Sequence, residues 1–484
     1  MPATEKPAAV ATDDFVLRDA IVITMDAQRN AYERGYVWVR GERIHQTGPV
    51  AELSELPPGT RVESARGRII LPGLVNGHGH LSNGILRGIY DEMPLSVWFA
   101  KGMWPVLEAM DPQIGTAGAN LALLELMSIG VTTSVSAEFG TPRPDLPDGV
   151  LEAVRGSGVR AVVSRMTVDT PDESEPSQAV PVRFRETVAQ AIEETERLQR
   201  QYGSARITVG PEALGVLRCT PDMVSGLHDL AVRTNAPFLM HIASSKEEHA
   251  SSHRRFGHGS VTELARRGAL SARTLLAHAI WLDDAEIAAV ADAQAGVSHN
   301  PISNAFYASG VARLSDLLQA GVRLGLGVDG ASTNNGQNLW ETMKMALLFQ
   351  KERTGDASFG SAELALELAT VGGARALHME DRVGSLEPGK QADLISLDVS
   401  RINLAPRQTL VSNLVYSNDP QAVRDVYVAG QPVVVDGVHQ LLDREAVIAA
   451  AEEALERVLE RTGLRSYLET RSAWRWHRGA KVAA

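Results

Sequence analysis

The chain has 484 residues, more than one hydrophobic core usually organises, so a large domain with a smaller companion is expected. Hydrophobic residues make up 44% and charged residues 22%, the balance of a soluble globular protein. A formal charge of −12, from 47 Lys+Arg against 59 Asp+Glu, argues against nucleic acid or an anionic membrane as partner.

The first residues, Met1 to Asp14, are polar and rich in Pro and Ala, without the charged start and apolar run of a secretory signal. No apolar stretch approaches the ~20 residues that span a bilayer. The lone cysteine, Cys219, excludes an intramolecular disulfide and a thiolate-rich zinc site, and fits a reducing cytoplasm. From Phe15 to about Val62, short alternating runs such as residues 20–23 and 36–39 are broken by turn signals and read as hairpins. The same texture returns at residues 392–397 and 426–435. Both ends of the chain are therefore expected to build one small β-sandwich domain.

Between them the rhythm changes. Short apolar runs fall at residues 74–80, 132–138, 160–166, 206–212, 237–241, 274–278, 296–299 and 324–329. Amphipathic helical patterns separate them, as at residues 187–201, 223–234, 283–292 and 311–320. Buried strands alternating with helices indicate parallel βαβ units. Eight units predict an α/β fold, a (β/α)8 TIM barrel, with chemistry at the C-terminal strand ends; a doubly wound open sheet is the alternative. The expected division is 1–68 and 379–440 for the two parts of the β-sandwich, 69–378 for the barrel, and 441–484 for a C-terminal helix and basic, Trp-containing tail.

Four strand ends carry a potential metal ligand: His78 and His80 on the first, His241 on the fifth, His278 on the sixth and Asp329 on the eighth. His78 and His80 are two apart on an extended segment, so both side chains project to one side. Neutral imidazoles with a carboxylate suit one divalent ion, Zn²⁺ first, with Fe²⁺, Mn²⁺ or Co²⁺ as alternatives. A lone histidine at a strand end is commonly structural; five ligands at the ends of strands 1, 5, 6 and 8 form a joint pattern.

Four segments carry a family resemblance: residues 71–81 around Asn76-Gly77-His78-Gly79-His80, His299-Asn300-Pro301-Ile302-Ser303-Asn304, residues 327–335 around Asp329, and residues 384–393. In them the chain resembles the amidohydrolase superfamily, in the branch of guanine and methylthioadenosine deaminases and triazine hydrolases. The resemblance implies that His78, His80, His241 and Asp329 bind one metal. It implies that His278 contacts the metal-bound water or the developing oxyanion, and that Asp329 is the general base. Water on such an ion has a pKa of ~7, so hydroxide would attack an electron-poor carbon.

One position departs from the pattern. Deaminases of this family carry a glutamate three residues after the strand-5 histidine, and here that position is Ser244. A hydroxyl cannot serve as a carboxylic acid near neutral pH. Glu247 and Glu248 lie farther along, on the following helix by pattern. Glu212, ending strand 4, is the other candidate: a replacement acid/base, a bridge to a second metal, or a plain hydrogen-bonded carboxylate in the barrel mouth. Ser244, His299, Asn300, Asn304, Arg87 and Trp98 are the candidate substrate contacts, with Ser303 beside them.

Other signals carry less. The run Gly325-Leu326-Gly327-Val328-Asp329-Gly330 matches a dinucleotide fingerprint, but a polar loop follows where a helix N-terminus is needed. His249, His253 and His258 lie after strand 5 without a His-Glu-x-x-His motif and read as a surface segment. The expected activity is metal-dependent hydrolysis of a non-peptide C–N bond, removing an amino or alkylamino group from an electron-poor nitrogen heterocycle. Hydrolysis of an amide, urea or carbamate-like bond is the alternative, then halide displacement, then a barrel that binds a ligand or assembles without catalysis. The partner is a small-molecule substrate, and family habit adds a homo-oligomer.

Overall fold

The computed structural model describes residues 14–471 apart from 94, 171–178 and 418. The polar leader up to residue 13 and the basic tail with Trp474 and Trp476 lie outside the described residues. Eight parallel strands form the central sheet: Leu74–Asn76, Val131–Phe139, Arg160–Thr167, Ile207–Ala213, Phe238–Ile242, Thr274–His278, Gly296–His299 and Arg323–Leu326. Neighbours in the sequence are neighbours in the sheet. At the seam, Gly77 N–H donates to Leu326 O at 2.8 Å and Asp329 N–H to His78 O at 3.0 Å, joining the first strand to the eighth. The strands bury both faces, the second and third along their whole length, which is why their sequences run apolar instead of alternating.

The first and eighth strands stop earlier than their apolar runs, at Asn76 and Leu326. Gly77, Gly79 and a left-handed Asp329 (φ 63°) follow, so the three ligands of these runs sit on loops just past the strands. Close packing explains the glycines of the false dinucleotide fingerprint. A Cβ on Gly327 would stand 2.4 Å from Asn300 Oδ1 and 2.9 Å from His78 Cβ. One on Gly325 would meet the Gly373 backbone at 2.7 Å.

Helices wrap the barrel with caps written in the sequence. Thr187 with Gln190 and Asp283 with Glu286 supply the capping boxes of Val188–Tyr202 and Asp284–Asp292, and Thr220 caps Pro221–Thr234. The helical pattern at 311–320 is realised only as the shorter Leu314–Gln319. Inside the barrel, Val75, Val135, Val162, Leu239 and Leu275 pack with Ala374, Ala376 and Leu377 in one apolar cluster.

The two chain ends build one nine-stranded mixed sheet. Its halves join where Arg68–Pro72 pairs antiparallel with Leu394–Asp398, Ile70 opposite Ser396. Phe15 and Tyr427 lie on strands three spacings apart, about 14 Å on a flat sheet, yet their rings stack at 5.3 Å. The sheet therefore folds over a core that includes Val37, Ile70 and Leu394. Arg160, on the third barrel strand, reaches into this domain. Its Nε donates to Asp393 Oδ2 at 2.8 Å and its Nη2 to Asp393 Oδ1 at 3.1 Å, with both side chains at most 2% exposed.

The C-terminal helix Arg444–Thr462 packs on helix Pro112–Ser128. Asp111 caps the latter, accepting Ile114 N–H at 2.9 Å, and also receives Arg461 and Arg457 from the C-terminal helix.

Candidate metal centre

His78, His80, His241, His278 and Asp329 converge at the C-terminal mouth of the barrel. His241 Nε2 lies 3.4 Å from His80 Nε2. Asp329 Oδ1 lies 3.4 Å from His80 Nε2 and 3.7 Å from His78 Nε2. Four donors about 2.0–2.1 Å from one ion stand about 3.4 Å apart in a tetrahedron, so these spacings fit a divalent metal. His78 Nε2 supplies a second sign: it is buried and has no hydrogen-bond partner. Leaving such a group unmatched costs about 1–3 kcal/mol, which coordination would relieve.

The outer nitrogens fix which tautomer each ring presents. His80 Nδ1 lies 2.7 Å from Ala137 O and His241 Nδ1 lies 2.8 Å from Glu212 Oε1. In each case Nδ1–H donates and the Nε2 lone pair turns to the cluster. Burial holds His78 well below its ordinary pKa and also lowers His278. For Asp329, burial pushes upward, but His78, His278, His80 and the Ser303 hydroxyl together hold its carboxyl well below the usual range. For His241, burial works against the charged form and the bond to Glu212 outweighs it, raising the pKa. The lowered values at His78 and His278 beside an ionised Asp329 favour the protonation states a metal requires, whereas at His241 a metal would compete with a proton held by the Glu212 charge. His278 and Asp329 both adopt left-handed backbone (φ 75° and 63°), uncommon for residues with a Cβ and concentrated at functional sites.

Glu212 has the geometry of the third of its readings, the hydrogen-bonded carboxylate in the barrel mouth. The structure turns this carboxylate away from the donors: Oε1 grips His241 Nδ1, Oε2 receives the Ser164 hydroxyl, and it belongs to neither donor group. Parallel pairing of the fourth and fifth strands, Leu239 opposite Glu212, places it behind His241. Both of its oxygens are thus engaged by hydrogen bonds, to His241 and Ser164.

The donors open into a cavity of about 940 Å³, its open mouth included. Trp98, Phe99, Met103, Phe139, Met166 and Leu214 give it an apolar wall; Ser244, Glu248, Ser303, Asn304 and Arg218 give polar points. Of the expected contacts, Trp98, Ser244 and Asn304 line it. His299 and Asn300 are fully buried and stand behind its wall; burial pushes His299 down to about 4. Asn300 accepts from Ser298 Oγ at 2.9 Å. Arg87 is not brought to the site: it is exposed, and its guanidinium pairs with Glu125. The Ser244 hydroxyl donates to Glu248 Oε2 at 2.7 Å, so a carboxylate does reach the cavity wall next to the missing glutamate, from the first turn of helix Lys246–Phe256. Glu247 beside it is exposed.

Arg218, its guanidinium 4.9 Å over the Phe99 ring, and Glu138, at the end of the second strand, escape the sequence reading. The signal for Glu138 is the one that marks Glu212, a carboxylate closing an apolar strand. The histidines after strand 5 remain apart: His249 and His253 pack ring to ring at 4.5 Å, and His258 Nε2 meets Glu263 at 2.8 Å.

Known proteins resemble this chain over most of its length. A model of the amidohydrolase family matches residues 69–433. The 5-methylthioadenosine/S-adenosylhomocysteine deaminase of Pelotomaculum thermopropionicum is 33% identical over 93% of this chain and 99% of its own. The protein of that name from Bacillus cereus is 33% identical over 90% and 97%. Among solved structures, an adenosine deaminase from Xanthomonas campestris with bound zinc superposes with a TM-score of 0.84 at 28% identity, covering 93% of this chain and 99% of that one. Atrazine chlorohydrolase from Arthrobacter aurescens, complexed with zinc, gives 0.84 at 24%, covering 91% and 100%, a likeness of fold.

Proposed function

The chain belongs to the amidohydrolase family, and on that footing we propose that it removes an amino or alkylamino group hydrolytically from an electron-poor nitrogen heterocycle. The observation that carries this reading is the donor cluster of His78, His80, His241 and Asp329 beneath an apolar, aromatic cavity. These four residues would hold a single divalent ion, read as zinc from its nitrogen and oxygen donors. When bound, such an ion acidifies water, so that a nucleophile is available at neutral pH.

The protein's own groups supply the rest. Ser303 Oγ, 2.6 Å from Asp329 Oδ2, aims the carboxylate that accepts the proton of the attacking water. His278 Nδ1 donates to Asn304 Oδ1 at 2.9 Å, which leaves the Nε2 lone pair 3.8 Å from Asp329 Oδ2. In that tautomer His278 orients the water and, once protonated, faces the charge developing on the substrate. Trp98, Phe99 and Phe139 provide faces for a flat ring.

A second reading, hydrolysis of an amide, urea or carbamate-like bond, draws its support from Ser244, which lacks the acid that protonates a ring nitrogen. A screen of metal-reconstituted protein against purines, pterins, triazines, ureas and carbamates, following ammonia or amine release, separates the two. Turnover of heterocyclic amines is expected; turnover of amides or ureas alone would replace the first reading with the second. We also read the protein as a cytoplasmic homo-oligomer, supported by its single, buried cysteine and by family habit. Among the described residues no helix is long and apolar enough to cross a membrane.

A further inference from the structure

Beside the metal pocket lies a smaller chamber that the chemistry above leaves unused. The two share His80, Trp98, Met103 and Phe139 as walls, and the chamber adds Tyr90 and Glu138. Glu138 is 1% exposed. It accepts from the Ser136 hydroxyl at 2.6 Å and the Ser82 N–H at 3.2 Å, both on Oε1, and also from the Ser82 side chain. Among the described residues no Lys or Arg pairs with it, and burial pushes its carboxyl pKa upward.

A buried carboxyl faced by the His80 imidazole but by no Lys or Arg is costly, and a neutral acceptor would satisfy Ser82 and Ser136 as well. Tyr90 Oη and Trp98 Nε1 are likewise buried without a hydrogen-bond partner. Three polar groups with unused capacity around one chamber exceed what packing requires. An apolar lining would stabilise an empty space better.

We infer that this chamber receives a second nitrogen substituent of the substrate, an amino or alkylamino group whose N–H donates to Glu138. The assignment rests on the heterocycle reading above and narrows it to rings carrying such a group besides the one removed. A carboxylate acceptor selects donors over carbonyl or alkyl substituents. The Tyr90 and Trp98 rings, edge to face at 6.1 Å, would border the substituent and tolerate a protonated amine.

The test uses matched pairs of purines and triazines in which one exocyclic amino group is replaced by methyl. Binding to the metal-loaded protein is measured by calorimetry at low temperature, with kcat/KM where turnover occurs. The wild type is expected to prefer the amino member by about tenfold, the worth of one charge-assisted hydrogen bond. Glu138→Gln should cut that ratio several-fold, and Glu138→Leu should bring it close to one, with unchanged metal content. A purely structural role would weaken both members of a pair equally and leave the ratio standing, which overturns the assignment, as does an equal affinity in the wild type. If Glu138→Leu does not fold, the nearly isosteric Glu138→Gln decides by the same ratio. If no pair binds at all, the heterocycle reading itself falls and this assignment with it.

Discussion

Replacing Glu212 with glutamine isolates a charge without disturbing a shape. Gln can still accept from His241 Nδ1–H through its oxygen, across the 2.8 Å now spanned by the carboxylate. Ser164, which donates to the other oxygen, can turn its hydroxyl to accept from the new amide. What disappears is the negative charge that makes the His241 imidazole a stronger donor. Loss of such an outer partner typically weakens metal binding by about 10–100-fold, or about 1.4–2.7 kcal/mol. The assay is competition for zinc against a chromophoric chelator at fixed pH, followed by kcat at saturating metal. Weaker zinc binding with kcat largely restored by excess metal is expected. Unchanged zinc affinity with a collapsed kcat would refute the reasoning and return Glu212 to the chemistry as an acid or base.

Three further outcomes are expected. Chelation should abolish turnover and lower the melting temperature; with metal at about 100 times its Kd the stabilisation lost is about 2.7 kcal/mol, restored by zinc and readable in a thermal scan. Arg160→Met should cost about 3–5 kcal/mol in urea unfolding by stranding Asp393 in the interior, and the double change with Asp393→Leu should recover part of it. The pKa of Asp111 is lowered: burial pushes upward, but the Ile114 N–H, Arg461 and Arg457 outweigh it. Its stabilising effect is therefore complete above the ordinary carboxylate value of 3.8 and is lost as pH falls through the lower folded value. Asp111→Asn should accordingly melt below the wild type at pH 7, and the gap should narrow in acid below that window.

The barrel was legible because its strands are buried on both faces and so spell themselves as uninterrupted apolar runs. The donors were legible for a related reason: an imidazole or carboxylate closing such a run has few structural uses, and five of them do so. Partnership was not legible. Whether Glu212 faces the metal or His241 depends on the pairing of the fourth and fifth strands, which no local pattern encodes. Whether Arg87 enters the cavity depends on Glu125, 38 residues later on another helix. Ser244 reads as a gap in the site until folding brings the first turn of the next helix, and Glu248 with it, against its hydroxyl.

The pairing of Ile70 with Ser396 has a consequence for synthesis. At a ribosomal rate of about 5–20 residues per second, strand Arg68–Pro72 waits roughly 15–65 s for its antiparallel neighbour. During that interval the edge of an Ile-Ile-Leu segment has no partner on that side, while the barrel's first strand has already left the ribosome. Nascent chains are therefore most exposed to aggregation at this edge, and slowing elongation late in the message should lower soluble yield without altering the finished enzyme.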